Sequence, residues 1–241
     1  NRKLPSSYPA PKTLAEYKAQ MMAIPGGSFA RGNEKYLNEK EGGTVTLWAF
    51  KMGRTPVTVA MFWEFCNATS RKMPRPPAWG WIPDHPMVNV SWEEAKEYAD
   101  WAKLKLPTEA EFEYASHGGT TDEYPWKGGF DQNKLWSSKR SGDTGGTASV
   151  SRSSRVFVNG YGLVDMVGNV WEWCSDWYFD YYPGGDETIP TGPSFGSGRV
   201  LRGGSWDGID AGYFRCANRN SSDFNSGNIY IGFRLSSPGL R

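Results

Sequence analysis

Val200-Leu201-Arg202-Gly203-Gly204-Ser205-Trp206 opens, and Ile231-Gly232-Phe233-Arg234-Leu235 closes, the stretch on which the reading of this chain turns. Both ends read as strands: Val200 and Leu201 are fit to enter a core, and Ile231 and Phe233 alternate as in a half-buried strand. Between them lie 24 residues, Asp207 to Tyr230, with little periodicity. Asn218, Asn220, Asn225 and Asn228 are interleaved there with Tyr213, Phe214, Phe224 and Tyr230. A rigid frame holding a polar, aromatic-dotted loop is a common way to build a binding surface. A long surface loop without a task is the plain alternative, but loops of this length inside a domain are uncommon unless they function or are disordered.

Upstream, Gly168-Asn169 is a turn signal before a strand whose Trp171 and Trp173 share a face, which predicts a core strand. Ser91-Trp92-Glu93-Glu94 and Thr108-Glu109-Ala110-Glu111 are capping boxes. The first opens a helix with Ala95, Tyr98, Ala99 and Ala102 on one face, and the second helix ends before Gly118-Gly119. A further helix is expected around Val59 to Asn67, with Phe62, Phe65 and Cys66 as its apolar stripe. Met21 to Ile24 reads as a strand stopped by Pro25-Gly26-Gly27, Ser28 to Gly32 as the return of a hairpin, and Thr44 to Met52 as another strand. Residues 69–88 and 118–160 read as irregular loop. Residues 1–20 read as a polar tail or linker with a helical turn near its end, and residues 21–241 as one domain. The class is α+β: two main helices, short antiparallel strands and much loop.

The bulk numbers narrow the function. With 27 basic and 26 acidic residues the net charge is +1, which argues against nucleic-acid or membrane binding driven by bulk charge. No apolar run approaches the ~18 residues that cross a bilayer. Three distant cysteines, Cys66, Cys174 and Cys216, form no disulfide framework; each sits among aromatics and reads as a buried thiol, with a single bridge as the alternative. Two histidines, His85 and His117, cannot alone assemble a zinc or three-histidine iron site. Glu109, Glu111 and Glu113 read as the acidic first turns of a capped helix and His117 as its last residue, so no catalytic residue is assigned.

Five segments in order, Met22 to Phe29, Leu106 to Ala115, Gly168 to Trp173, Arg202 to Trp206 and Ile231 to Arg234, resemble the formylglycine-generating enzyme (sulfatase-modifying factor) family. The resemblance covers about 210 residues and implies the C-type-lectin-like fold in its formylglycine-generating-enzyme variant. Function does not follow from fold. Oxidases of the family carry two copper-binding cysteines just after the Gly-Gly-Ser-aromatic motif, whereas here Trp206 is followed by Asp207, Gly208, Ile209 and Asp210. The iron-dependent sulfoxide synthase branch needs a histidine-bearing extra domain. The sequence resembles most a third branch, the variable proteins of diversity-generating retroelements, in which copying errors at template adenines rewrite Asn codons of the form AAY. Changes in the first two bases of AAY never yield Lys, Glu, Gln, Met or Trp. None of these five occurs from Asp207 to Arg241, although they make up 48 of the preceding 206 residues, so the stretch is depleted as rewriting requires. Ser141 to Asp165 also lacks all five, which reads as an ordinary small-residue loop.

The resemblance therefore implies a hypervariable ligand-binding protein displayed at a bacterial surface as an outer-membrane lipoprotein, its lipid anchor upstream of Asn1. The chain is expected to be a monomer that binds a variable protein or other macromolecular ligand and no nucleic acid. The expected ligand-binding residues are Asp207, Gly208, Asp210, Gly212, Tyr213, Phe214, Asn220, Ser221, Ser222, Asp223, Phe224, Asn225, Ser226, Asn228 and Tyr230, with Ile209 and Ala211 as further surface positions. Aromatic side chains give contact area at small entropic cost, and Asn and Ser adapt their hydrogen bonds. Of the four aromatics, Tyr213 or Phe214 is expected to be buried, since adjacent strand residues face opposite ways. No cofactor is required. A structural Ca²⁺ on Asn169 and Glu172 is implied by the family. The alternatives are a formylglycine-generating-type oxidase acting on a protein cysteine, and a fixed-specificity binder on the same scaffold.

Overall fold

The computed structural model describes residues 9–40, 42–138, 145–151 and 157–237. Three helices start where the sequence supplies a side-chain cap. Thr58 caps α2 (Val59–Thr69), Ser91 caps α3 (Trp92–Trp101) and Thr108 caps α4 (Glu109–His117), the last two with complete capping boxes. The expected face of α3 is fully used: Ala95, Tyr98, Ala99 and Ala102 are all buried. On α2, Phe62 stacks on Tyr98 with ring centroids 5.7 Å apart, and Phe233 meets both rings edge-on. This is the main core, where aromatic geometry adds to area burial.

The shorter helix α1 (Leu14–Ala19) corrects the expected boundary at residue 20. Tyr17 is buried in the main core, and its hydroxyl accepts from Leu235 N (3.0 Å) and donates to Thr55 O (3.2 Å). The packed unit thus reaches back before residue 21; residues 1–8 of the expected tail lie outside the described residues, as do parts of the expected 118–160 loop.

The strands depart from the expected hairpin. β1 (Met22–Ile24) pairs with β4 (Phe50–Met52), while β2 (Gly27–Ala30) pairs with β3 (Thr44–Leu47). The segment expected as one strand from Thr44 to Met52 breaks at Trp48-Ala49, opposite the break at Pro25-Gly26. Pro25 has no N–H for the ladder, and a Cβ on Gly26 would stand 2.9 Å from Ala49 N, so two chains bend together at a close approach. β6 (Glu187–Thr188) joins β3 in parallel.

The frame of the long loop is a four-stranded sheet in the order β8-β7-β5-β9: Arg219–Ser222, Arg199–Arg202, Trp171–Trp177 and Ile231–Gly232. β9 runs parallel to β5, so the strands are not all antiparallel. Val200, Leu201, Trp173, Ile231 and Phe233 are buried, and the Trp173 indole donates to Val90 O at 3.1 Å. No helix among the described residues is long and apolar enough to cross a membrane.

Candidate functional site

The loop leaves the sheet at Arg202, returns at Arg219, follows edge strand β8 to Ser222 and comes back past α3 to Ile231. Its backbone is held along the way. Trp206 N donates to Asn169 O (3.0 Å), Gly208 O accepts from Ser138 N and Oγ (3.2 and 2.8 Å), and Cys216 N donates to Glu123 O (2.9 Å). On the return, Trp92 N donates to Phe224 O, Asn89 N to Asn228 O and Trp171 N to Tyr230 O, at 2.8–3.0 Å. These anchors use backbone groups of the loop and leave its side chains out of the bonding. Gly204 starts the excursion with φ +73°, and a Cβ there would lie 2.8 Å from the Phe214 ring.

Buried arginines brace the same segment. Arg202 ion-pairs with Glu113 (2.5 Å) and Glu109 (3.1 Å) and donates to Cys216 O and Asn218 O. Arg215 forks onto Glu39 (2.6 and 2.7 Å) and Arg219 onto Glu109 (2.6 and 2.9 Å). Arg234, just beyond β9, forks onto Glu172 at 2.7 Å for both bonds and donates to the carbonyls of Val164 and Asp165. Planar bidentate pairs suit buried sites because geometry and charge are satisfied together. Glu109 and Glu113 are therefore more than helix-dipole partners: they are the counter-charges of the loop. The sequence-level reading missed Glu39 and Glu113 because their partners lie far away along the chain.

The expected binding residues separate into outward and inward positions. Asp207, Asp210, Tyr213, Asn220, Asp223, Asn225 and Ser226 are exposed, as is Ile209. Gly208, Gly212, Ser221, Ser222, Phe224, Asn228 and Tyr230 are half-buried, and so is Ala211. Phe214 is a correction: it is buried against Tyr124, Trp126, Leu135 and Val167, because the 3₁₀ turn Ala211–Phe214 points Tyr213 out and Phe214 in. The exposed residues do not form one patch. Tyr230 packs near Trp206 (5.8 Å between centroids) and Trp206 near Trp79 (5.5 Å), while Tyr213 lies 6.4 Å from Trp171. Phe224 instead meets Trp177 edge-on at the other end of β5, roughly 20 Å away by strand rise. Trp79 and Trp206 were not expected at the site, and Trp171 was expected wholly in the core, yet it is half-buried at the strand end. The Trp206 indole donates to Ile229 O (3.1 Å), which fixes the ring beneath the loop. All the ionisable side chains that are exposed between Asp207 and Tyr230 are acidic or phenolic: Asp207, Asp210, Asp223 and Tyr213.

Asn169 and Glu172 do not fit the implied Ca²⁺: Arg234 engages both oxygens of Glu172, and Asn169 Oδ1 accepts from Ala148 N. A divalent cation there would face a guanidinium. No group of three or more His, Cys, Asp or Glu among the described residues is placed to hold a metal. Cys66, Cys174 and Cys216 are free and buried. Burial pushes the Cys216 thiol up to about 12 and raises Cys174 well above the usual range, so neither is a thiolate at neutral pH. His85 Nδ1 lies 3.0 Å from Thr147 Oγ1, and His117 Nδ1 lies 3.1 Å from Asp122 O at the end of α4, its pKa lowered chiefly by burial.

The sequence profile of the sulfatase-modifying factor enzyme 1-like domain matches residues 7–237. The chain is 40% identical over 164 residues to the formylglycine-generating enzyme of Streptomyces coelicolor, an alignment covering 63% of this chain and 52% of that enzyme. It thus spans about half the length of that relative. Among solved structures it is similar to Treponema denticola variable protein 1, with a TM-score of 0.74 and 27% identity over 90% of this chain and 94% of that one. It is also similar to PvdO from Pseudomonas aeruginosa, with a TM-score of 0.76 and 26% identity over 91% and 94%.

Proposed function

The chain belongs to the sulfatase-modifying factor enzyme 1-like family, and from that premise we propose that it is a non-enzymatic ligand-binding protein whose loop from Asp207 to Tyr230 is diversified by a retroelement. One observation carries the reading. The loop backbone is fixed by main-chain hydrogen bonds and by the arginine pairs at Arg202, Arg215 and Arg219, while Asp207, Ile209, Asp210, Tyr213, Asn220, Asp223 and Asn225 point outward. Such a surface can change its side chains without changing its shape. Every outward residue type is reachable from AAY. The similarity to a Treponema variable protein supports the same reading.

In this variant, exposed Asp207 follows Trp206 and exposed Asp210 caps the turn that carries Tyr213, which suits a macromolecular partner that presents basic groups and flat apolar surface. Display at a bacterial surface and a lipid anchor upstream of Asn1 complete the proposal.

The test is to replace Asp207, Ile209, Asp210, Tyr213, Asn220, Asp223 and Asn225 together with other residues that an NNY codon encodes. The thermal midpoint is expected to shift by no more than a few degrees, as for surface changes generally. Cooperative unfolding lost at room temperature would contradict a tolerant surface. The second reading, a formylglycine-generating-type oxidase acting on a protein cysteine, is favoured by the 40% identity to such an enzyme. It predicts tight Cu(I) binding by a thiolate pair and conversion of a cysteine peptide, and the buried, protonated state of Cys174 and Cys216 speaks against it.

A further inference from the structure

Away from the long loop, β5 runs into a segment dense in aromatics and prolines, from Tyr178 to Phe195. It walls a cavity of about 450 Å³, within the range of small-molecule sites. At its mouth stand three large apolar side chains left in solvent: Phe179 is 40% exposed, Tyr181 59% and Phe195 75%. Single exposed aromatics are ordinary, but three converging on one cavity are not. Phe179 and Tyr181 meet edge-on with centroids 4.8 Å apart.

Asp176 lines the same cavity and is 3% exposed. Its Oδ2 accepts from Glu109 N and Ser175 Oγ, both at 2.9 Å. Its Oδ1 receives none of the described hydrogen bonds. The other charges that line the cavity are paired. Arg219 is spent on Glu109 and on the carbonyls of Asn38 and Phe179, and Arg31 on Glu187 and Gly42 O. Arg31 and Arg219 also cover the Tyr182 ring, each 4.0 Å from its centroid. From β7, Arg199 is held between Trp92 and Trp177 and donates to Ser175 O, and from α4, Glu111 is paired with Lys105. With Arg31–Glu187 and Arg219–Glu109 balanced, the ionised Asp176 carboxylate has no ion pair among the described residues that line the cavity; Arg199, held between the tryptophans outside the lining, is the nearest cation that attracts it.

We propose that this cavity binds a primary ammonium group on a short alkyl chain, the cation seated on Asp176 Oδ1 beneath the rings of Phe179, Tyr181 and Phe195. An anion would meet Asp176 and find the arginine donors already used. A neutral apolar ligand would fill the mouth but leave Oδ1 unsatisfied, at the usual cost of a buried acceptor. An ammonium supplies a donor and a charge, and aromatic faces attract it. The chemistry is shared by a free alkylamine and by a lysine side chain of a peptide. Burial, reinforced by the nearby Glu109 charge, pushes the Asp176 carboxyl up to about 7, so binding is coupled to loss of its proton. The site includes Arg219, a fixed brace of the loop, but none of the outward positions proposed to vary, and its test does not depend on them.

Calorimetric titration with n-butylammonium chloride, with n-butanol as neutral counterpart, tests the proposal. Saturable binding of the amine is expected at millimolar concentration, with none by the alcohol. Affinity should rise roughly tenfold from pH 6 to pH 8, following the ionised fraction of Asp176. Phe195→Ala, at an exposed mouth position, should weaken binding several-fold with an unchanged thermal midpoint. Asp176→Asn should remove the pH dependence and most of the affinity. Nα-acetyl-lysine N-methylamide binding more tightly than butylammonium would point to a peptide lysine, and the reverse to a free amine. Equal binding of butanol, no saturation by ~50 mM amine, or affinity untouched by both variants would overturn the proposal.

Discussion

At the scale of single residues, the molecule separates side chains that hold the fold from side chains that are free to change. Arg234 belongs to the first kind. Its side chain is fully buried and balances Glu172, itself 1% exposed. Arg234→Ala would strand a buried carboxylate, and such changes cost about 3–5 kcal/mol. Tyr213→Ala, at a position 47% exposed, should stay within about 1 kcal/mol, and chemical denaturation of the two variants side by side measures the contrast. Asp176 gives a pH-dependent counterpart. Its folded pKa of about 7 lies above its ordinary value of 3.8, chiefly through burial. A raised carboxyl contributes stability that is fully present below the ordinary value and lost as pH rises through about 7. Asp176→Asn removes that loss, so the variant should gain on the parent by roughly 2–4 kcal/mol between pH 4 and pH 8, as read from denaturant midpoints. A difference that stays flat across this range would mean that Asp176 is ionised throughout.

At the scale of elements, what was legible in the sequence is what local chemistry dictates. Ser91 with Glu94 and Thr108 with Glu111 announce α3 and α4 because a capping box is complete within four residues. The strand pairings were not legible. Nothing within Met22–Ile24 says that its partner is Phe50–Met52 instead of the nearer Gly27–Ala30, and the parallel union of β5 and β9 depends on Arg234 meeting Glu172 from 62 residues away. Tyr17 reads as part of a tail because its hydrogen-bond partners, Thr55 and Leu235, lie 38 and 218 residues away along the chain. The loop's own start is more predictable. Gly204 sits at φ +73° with no room for a side chain, so Gly204→Ala should destabilise the fold by about 1–3 kcal/mol and displace Phe214 from its cluster. Near-ultraviolet circular dichroism and denaturant unfolding would show both effects, and a variant as stable as the parent would mean that the turn has another available geometry.

At the scale of the whole molecule, the family frame is spent on holding one loop still. Of the 15 residues expected to bind ligand, Phe214 alone is buried, because a 3₁₀ turn and not a strand carries it. What the sequence hid was the partition: Tyr213 and Tyr230 share one end of the sheet with Trp206, while Phe224 lies at the other. Burial, ion pairing and backbone anchoring agree in separating fixed from free positions. Under the proposed function, diversification is confined to the free ones. Sequencing the coding region for residues 200–241 and its downstream neighbour in several isolates tests this most directly. Expected are substitutions at the codons of Asp207, Ile209, Asp210, Tyr213, Asn220, Asp223 and Asn225, a nearby near-identical template with adenines at those codons, and no change at Arg202, Arg215, Arg219 or Arg234. An unchanged loop without a template, or substitutions spread equally over the buried arginines, would contradict it.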